Sequence, residues 1–191
     1  MESAYDARIK SRPLYSPIVI RDNAAFHLFI AEESTEGQAS GLLWIFNECQ
    51  SQVKSWLGLS ADDVLIFSKN MRPASVKSEE LSLALSSLPL ASQVYVSGSE
   101  SFMWDMHNLL IDAGLLTEQV SLMTPTSSIR RVFCTHCYTV MEKVEHTPVT
   151  CQGCQRPLLV RDHFSRVHGA YVGLNVNAED VNDIPEKEAL T

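Results

Sequence analysis

A chain of 191 residues with 45% hydrophobic residues has enough apolar material for one medium domain and a small module. Its formal charge of −8 argues against a phosphate-rich partner, so no nucleic acid is expected. The longest apolar run, Leu42–Phe46, is far too short to span a bilayer, and no membrane is expected either. Met1–Asp6 carries acids rather than the apolar core of a secretory leader, which points to the cytoplasm.

In chain order, residues 1–24 read as a polar, proline-punctuated arm with one predicted strand at Ile18–Ile20. An α/β rhythm then fills residues 25–126. Phe26–Ile30 reads as a strand running into the loop Glu32–Gly37. From residue 39 to 57 the positions Leu42, Phe46, Cys49, Val53, Trp56 and Leu57 recur at helical steps, giving one buried stripe; Cys49 is an inert thiol within it. Asp63–Phe67 is the next strand. Ser78 caps a second helix whose first turn holds Glu79 and Glu80, the charge sign that suits a helix N-terminus. Gln93–Val96 is a third strand, turning at Ser97-Gly98-Ser99 into a helix over Phe102–Ala113 that Gly114 ends. Gln119–Leu122 is a fourth strand. Strands separated by helices predict an α/β fold with a small parallel sheet.

Residues 127–176 differ in kind. Cys134-Thr-His-Cys137 and Cys151-Gln-Gly-Cys154 stand thirteen residues apart, flanked by short β-like runs at Arg131–Phe133, Thr147–Thr150 and Pro157–Val160. Each CxxC turn points two sulfurs at one spot, and two such turns build a tetrahedral four-cysteine cage, the usual geometry of a zinc ribbon. Cys134, Cys137, Cys151 and Cys154 are therefore the expected metal ligands, for zinc, with iron as the alternative. Disulfides would need an oxidising compartment, and neither pair opens a helix as a thioredoxin-type pair does. His136, His146, His163 and His168 are read as structural or surface residues, because the four-sulfur set is complete without them. Residues 129–170 hold six Lys/Arg and three acids, a local charge of +3 that leaves −11 for the remainder. A metal-bound four-thiolate cage brings the ribbon near neutrality. Residues 177–191 are acidic and nearly devoid of apolar side chains, so they are expected to be disordered or to fold only against a partner.

The segment Val94–Met103, with the following helix, Gly114 and the next strand, resembles the last βαβ unit of the nucleotide module in ferredoxin-reductase-like proteins. That resemblance marks Gly98 and Ser99 as candidate cofactor-binding positions at a close turn with free helix N–H groups. The first loop of such a module should be glycine-rich and uncharged. Here it carries Glu32, Glu33 and Glu36, which repel a pyrophosphate. The domain therefore reads as a degenerate nucleotide-binding module.

Arg130–Cys137, Cys151–Cys154, Leu158–Arg166 and Gly169–Asn175 together resemble the small subunit of bacterial dimethylamine monooxygenase, and Val94–Gly114 resembles the N-terminal part of the same family. The resemblance implies a cytoplasmic, multi-component oxygenase that uses NADPH and O₂ to convert a dimethylated amine to methylamine and formaldehyde. It also implies that haem, flavin and an iron–sulfur cluster sit on partner chains: a haem-binding oxygenase subunit and a flavin/iron–sulfur reductase subunit. This sequence has no haem-attachment CxxCH and no ferredoxin-type cysteine set. No catalytic residue is assigned, and the chain is not expected to be catalytic alone; assembly or reductase-to-haem coupling is its expected role. A rubredoxin-like iron electron carrier and a non-redox zinc-ribbon adaptor stay open beside it. Residues 158–176 combine apolar anchors with arginines, so Arg161, Phe164, Arg166 and Tyr171 are the expected contacts to a partner.

Overall fold

The computed structural model describes residues 11–15, 21, 23–24, 26–32, 86, 90–180 and 184–191. The strands expected at 18–20 and 63–67 and the helix at 39–57 lie outside the described residues, as does the helix at 78–89 apart from Ser86, which is helical. The chain divides into two compact units: Tyr15–Thr126, and Met1–Leu14 together with Ser127–Thr191.

In the first unit, strands β1 (Phe26–Ala31), β2 (Ser92–Ser97) and β3 (Val120–Leu122) form a sheet in that order, and helix α1 (Glu100–Asp112) joins β2 to β3. Both pairings are parallel, with Leu28 opposite Val94 and Val94 opposite Val120. The parallel sheet predicted from the alternation of elements is thus present among the described residues. Phe102, Met103, Met106 and Leu110 form one stripe of α1 and pack with Val94, Val96 and Ile30 into a buried core. Fully burying side chains of this size stabilises a fold by roughly 1.5–3 kcal/mol each.

Polar groups at the start of α1 are internally satisfied. Tyr15 donates its hydroxyl to Glu100 Oε1 at 2.6 Å and accepts from Trp104 Nε1 at 3.0 Å. This relay of hydrogen bonds lets Glu100, only 7% exposed, enter the interior of the unit without an orphaned polar atom.

Among its described residues the second unit is all β. Strands β4 (Arg130–Cys134), β5 (Val140–Val144), β6 (His146–Thr147), β7 (Val149–Thr150), β8 (Pro157–Ser165), β9 (Ala170–Asn175) and β10 (Glu188–Ala189) make two sheets. Five strands lie in the order β5-β4-β9-β8-β7, and β10 pairs with β6. β4 and β9 are parallel, and the other pairs are antiparallel. Val132, Met141, Leu158, Val160, Phe164 and Tyr171 are buried; the register pairs Val132 with both Met141 and Tyr171.

An ion cluster ties the ends of this unit to that inner layer. The Arg130 guanidinium, 5% exposed, lies 4.2 Å from the Tyr171 ring centroid and 3.1 Å from Asp162 Oδ1. Arg12 meets the same Oδ1 at 2.6 Å. Both arginines also donate to a main-chain oxygen of Thr191, at 2.9 and 2.8 Å. These contacts correct the expectation of a tail without structure. Glu188–Ala189 pairs with His146–Thr147, and Leu190 is buried. Composition hides this because one apolar anchor and two backbone-directed arginines are enough to dock a polar segment. The expected arm of residues 1–24 is likewise divided: Ser11 bridges to His163 in the β unit, whereas Tyr15 belongs to the other.

Partial burial pushes the Asp162 carboxyl upward, but hydrogen bonding and charge from Arg12, and then Arg130, outweigh it, so its net shift is downward from 3.8. Its contribution to stability is therefore complete above that unfolded-state value and lost as pH falls through the lower folded one. Asp162→Asn should destabilise the β unit by about 2 kcal/mol at pH 7, since it strands a buried guanidinium. Thermal melts of the metal-loaded protein at pH 7 would show this as a lowered midpoint; an unchanged midpoint would mean that the cluster is energetically neutral.

Candidate metal centre and the strand–helix turn

The two CxxC segments fold into near-identical knuckles. In the first, Cys134 N donates to Thr139 O at 2.9 Å and Tyr138 N to Cys134 O at 2.9 Å; in the second, Cys151 N donates to Arg156 O at 2.9 Å and Gln155 N to Cys151 O at 3.0 Å. The offsets from the first cysteine, five and four residues, are the same in both. Closing so tight a loop requires a left-handed residue after the second cysteine. Tyr138 at φ 59° and Gln155 at φ 61° supply it, each accepting a conformation that glycine adopts at less cost.

β4 delivers Cys134 and the start of β8 follows the second knuckle, so the sheet brings both loops to one end. All four sulfurs lie within 4.8 Å of one another. Cys134 Sγ is 3.8 Å from Cys154 Sγ, and Cys137 Sγ is 3.6 Å from Cys151 Sγ. A tetrahedral ion with metal–sulfur bonds of about 2.3 Å needs sulfur edges of about 3.8 Å. The cage therefore fits one metal ion, and all four thiols are free rather than disulfide-bonded. Cys134 and Cys151 are fully buried, while Cys137 and Cys154 are partly open.

The thiols are not equivalent. Thr139, through its hydroxyl 3.2 Å away and then its backbone, holds the Cys137 thiol down at about 6. At Cys154 the backbone bond from Arg156 lowers the value, but burial and the other three cysteines raise it to about 11. A metal ion binds thiolates and displaces the protons of the cage, so metal uptake releases acid.

Two residues near the cage carry no signal of their own in the sequence. Thr139 is the first-knuckle hydroxyl just described. Gly153 lies against it: a Cβ there would strike Thr139 Oγ1 and come within 3.1 Å of Cys137 Sγ. Glycine at 153 thus lets one knuckle close on the other. Only the juxtaposition of two segments distant in sequence makes either residue matter.

The expected partner contacts at 158–176 divide. Phe164 and Tyr171 are 8% and 4% exposed and meet edge to face at 5.0 Å; they are inner-layer residues, not free anchors. Alternation along β8 puts Phe164 on the same side as Leu158 and Val160, and pairing with β9 sets it opposite Tyr171 on that buried face. Arg161 is half-buried and Arg166 exposed.

At the strand–helix turn, Ser99 caps α1 by accepting from Phe102 N. The N–H of Ser99 donates to Glu32 Oε2 at 2.6 Å. Gly98, at φ 153°, has no room for a side chain, because a Cβ would lie 2.6 Å from Glu32 Cβ and 2.7 Å from Phe102 Cδ1. The carboxylate of the first loop therefore occupies the helix N-terminus to which an incoming phosphate would bind. Glu33 and Glu36 lie outside the described residues.

A mixed α/β protein with a paired-knuckle cage of four cysteines is the class that fold and site define. Residues 131–174 match the family described as dimethylamine monooxygenase subunit DmmA-like, C-terminal domain, the resemblance that its motifs led us to expect. It is also 34% identical over 99 residues to the haem-dependent oxidative N-demethylase delta subunit of Ectopseudomonas mendocina (strain ymp), a match covering 52% of this chain and 57% of that protein. The match thus spans a little over half the length of that relative. No solved structure matches the chain significantly.

Gly153→Ala should lower metal affinity by about tenfold or more while the α/β unit stays folded, since something must shift to admit the methyl group. Competition with a chromogenic chelator measures it, and wild-type retention of metal would show that the knuckles yield freely. Calorimetry tests the turn. NADPH should bind more weakly than about 100 μM, whereas a low-micromolar dissociation constant would mean that Glu32 is displaced readily.

Proposed function

We propose that this chain is the small, non-catalytic subunit of a haem-dependent oxidative N-demethylase, a dimethylamine monooxygenase using NADPH and O₂, and that it acts in assembly or in coupling the reductase subunit to the haem subunit. The observation that carries the reading is the family match over residues 131–174, which contains all four cage cysteines. The relative that is the delta subunit of a haem-dependent oxidative N-demethylase supports the same reading.

The resident ion is zinc in this proposal, held by Cys134, Cys137, Cys151 and Cys154. With four protein thiolates the coordination sphere is closed, so the ion offers no open position to a substrate and supplies structure. What the residues do follows from that. The cage fixes two knuckles whose loops have little core of their own, and metal binding of this kind contributes on the order of 10 kcal/mol to folding. The α/β unit, with Glu32 on the N–H of Ser99, serves as a scaffold; nicotinamide cofactor, flavin and haem are assigned to the partner chains, and the assembly to the cytoplasm.

Reconstitution tests the reading. The haem-binding and reductase subunits should release formaldehyde from dimethylamine in the presence of NADPH and this chain, and lose most of that activity when it is left out or replaced by Cys151→Ser. Undiminished turnover without the chain would refute the proposal. Metal analysis of the wild-type chain decides between the ions: stoichiometric iron with a visible spectrum would favour the electron carrier over the zinc-based subunit.

A further inference from the structure

The five-stranded sheet of the β unit is apolar on both faces, although a sheet of this kind usually alternates apolar residues inward with polar residues outward. One face is the buried layer of Val132, Met141 and Tyr171. On the other, the register places Val140 opposite Phe133 and Phe133 opposite Val172 in one row. Leu174 and Leu159 face each other in the next. This strip crosses four adjacent strands. It is open to solvent: Val140 is 45% and Leu174 40% exposed, and Phe133, Val172 and Leu159 are half-buried. The Arg12, Arg130 and Thr191 cluster belongs to the opposite face, since Arg130 shares the side of Val132 and stacks on Tyr171.

Charge on the strip selects its occupant. Glu142 is taken by Arg131 at 2.8 Å. Arg161, which alternation along β8 puts on the same face as Leu159, has no ion pair among the described residues. A second copy laid face to face would bury two such arginines with no carboxylate free to meet them, a costly arrangement. A different subunit with an apolar surface and an acidic side chain fits both features. The strip also falls within the family-matched segment 131–174, and the relative's designation as a delta subunit speaks of an assembly.

From these observations we infer that the outer face of the five-stranded sheet, centred on Phe133, Val140, Val172 and Leu174 with Arg161 at its edge, is the docking surface for another subunit of the demethylase. The inference rests on the functional reading above and replaces Phe164 and Tyr171 as the anchors.

The test uses the full-length, metal-loaded chain and, as separate probes, the purified haem-binding subunit and the purified reductase subunit. Val140→Lys combined with Leu174→Lys should weaken binding to one of them by about 30-fold or more, the loss typical of central apolar anchors. Arg161→Glu alone should weaken it by about tenfold. Leu116→Lys, at a residue 65% exposed in the α/β unit, should bind as wild type. Metal content and thermal midpoint measured on every variant separate lost docking from lost folding. If the double variant, folded and metal-loaded, binds as tightly as wild type, the face is wrong while the functional reading stands. If the wild-type chain binds neither subunit, that reading falls and the inference with it. If sedimentation instead shows a wild-type dimer that the double variant dissolves, the face is a self-interface and the inference is overturned.

Discussion

Four sulfurs brought within 4.8 Å of one another form the constraint on which the β unit depends. Uncharged, they are a cluster of soft, weakly interacting groups. Deprotonated without a cation, they repel, and burial, followed by hydrogen bonding with the other three cysteines, drives the Cys154 thiol up to about 11. A metal ion turns that repulsion into four bonds and cross-links two loops that otherwise share little apolar surface. Strand placement follows, because β4 enters the first knuckle and β8 leaves the second, and β9 lies between them in the sheet.

The knuckles show how local strain is accepted for a tertiary purpose. Tyr138 and Gln155 hold left-handed backbone that a side chain disfavours, at a cost of order 1 kcal/mol each. Closure of the cage outweighs that cost. Gly153 works in the opposite sense: its backbone has no such unusual angle, and its value lies in the missing methyl group that would collide with Thr139. Two residue choices that look interchangeable along the chain thus answer different physical demands.

The α/β unit applies one of its own carboxylates to a helix end. Glu32 satisfies the Ser99 N–H at 2.6 Å, and the positive end of the α1 dipole stabilises that charge. A strand–helix turn that in other folds receives a phosphate is here completed internally.

The sequence by itself determined the elements whose signal is local. The CxxC pairs named the four cysteines that the fold brings together, because ligand chemistry and turn geometry are both written within four residues. Alternating strand and helix patterns gave β1, β2, α1 and β3, since periodicity reports burial directly. Tertiary structure alone decided the rest. It showed that Phe164 and Tyr171 point inward, because alternation tells only that Phe164 shares a side with Leu158 and Val160, whereas the pairing of β8 with β9 sets that side against the interior. It revealed a docked C-terminal strand where composition suggested none, because Arg12, Arg130 and Asp162 meet only in three dimensions. It also left the strip of Phe133, Val140, Val172 and Leu174 open, which no linear pattern discloses. A strand's own alternation tells which residues share a side, but only the pairing of strands tells which sides join into one surface and whether that surface is covered.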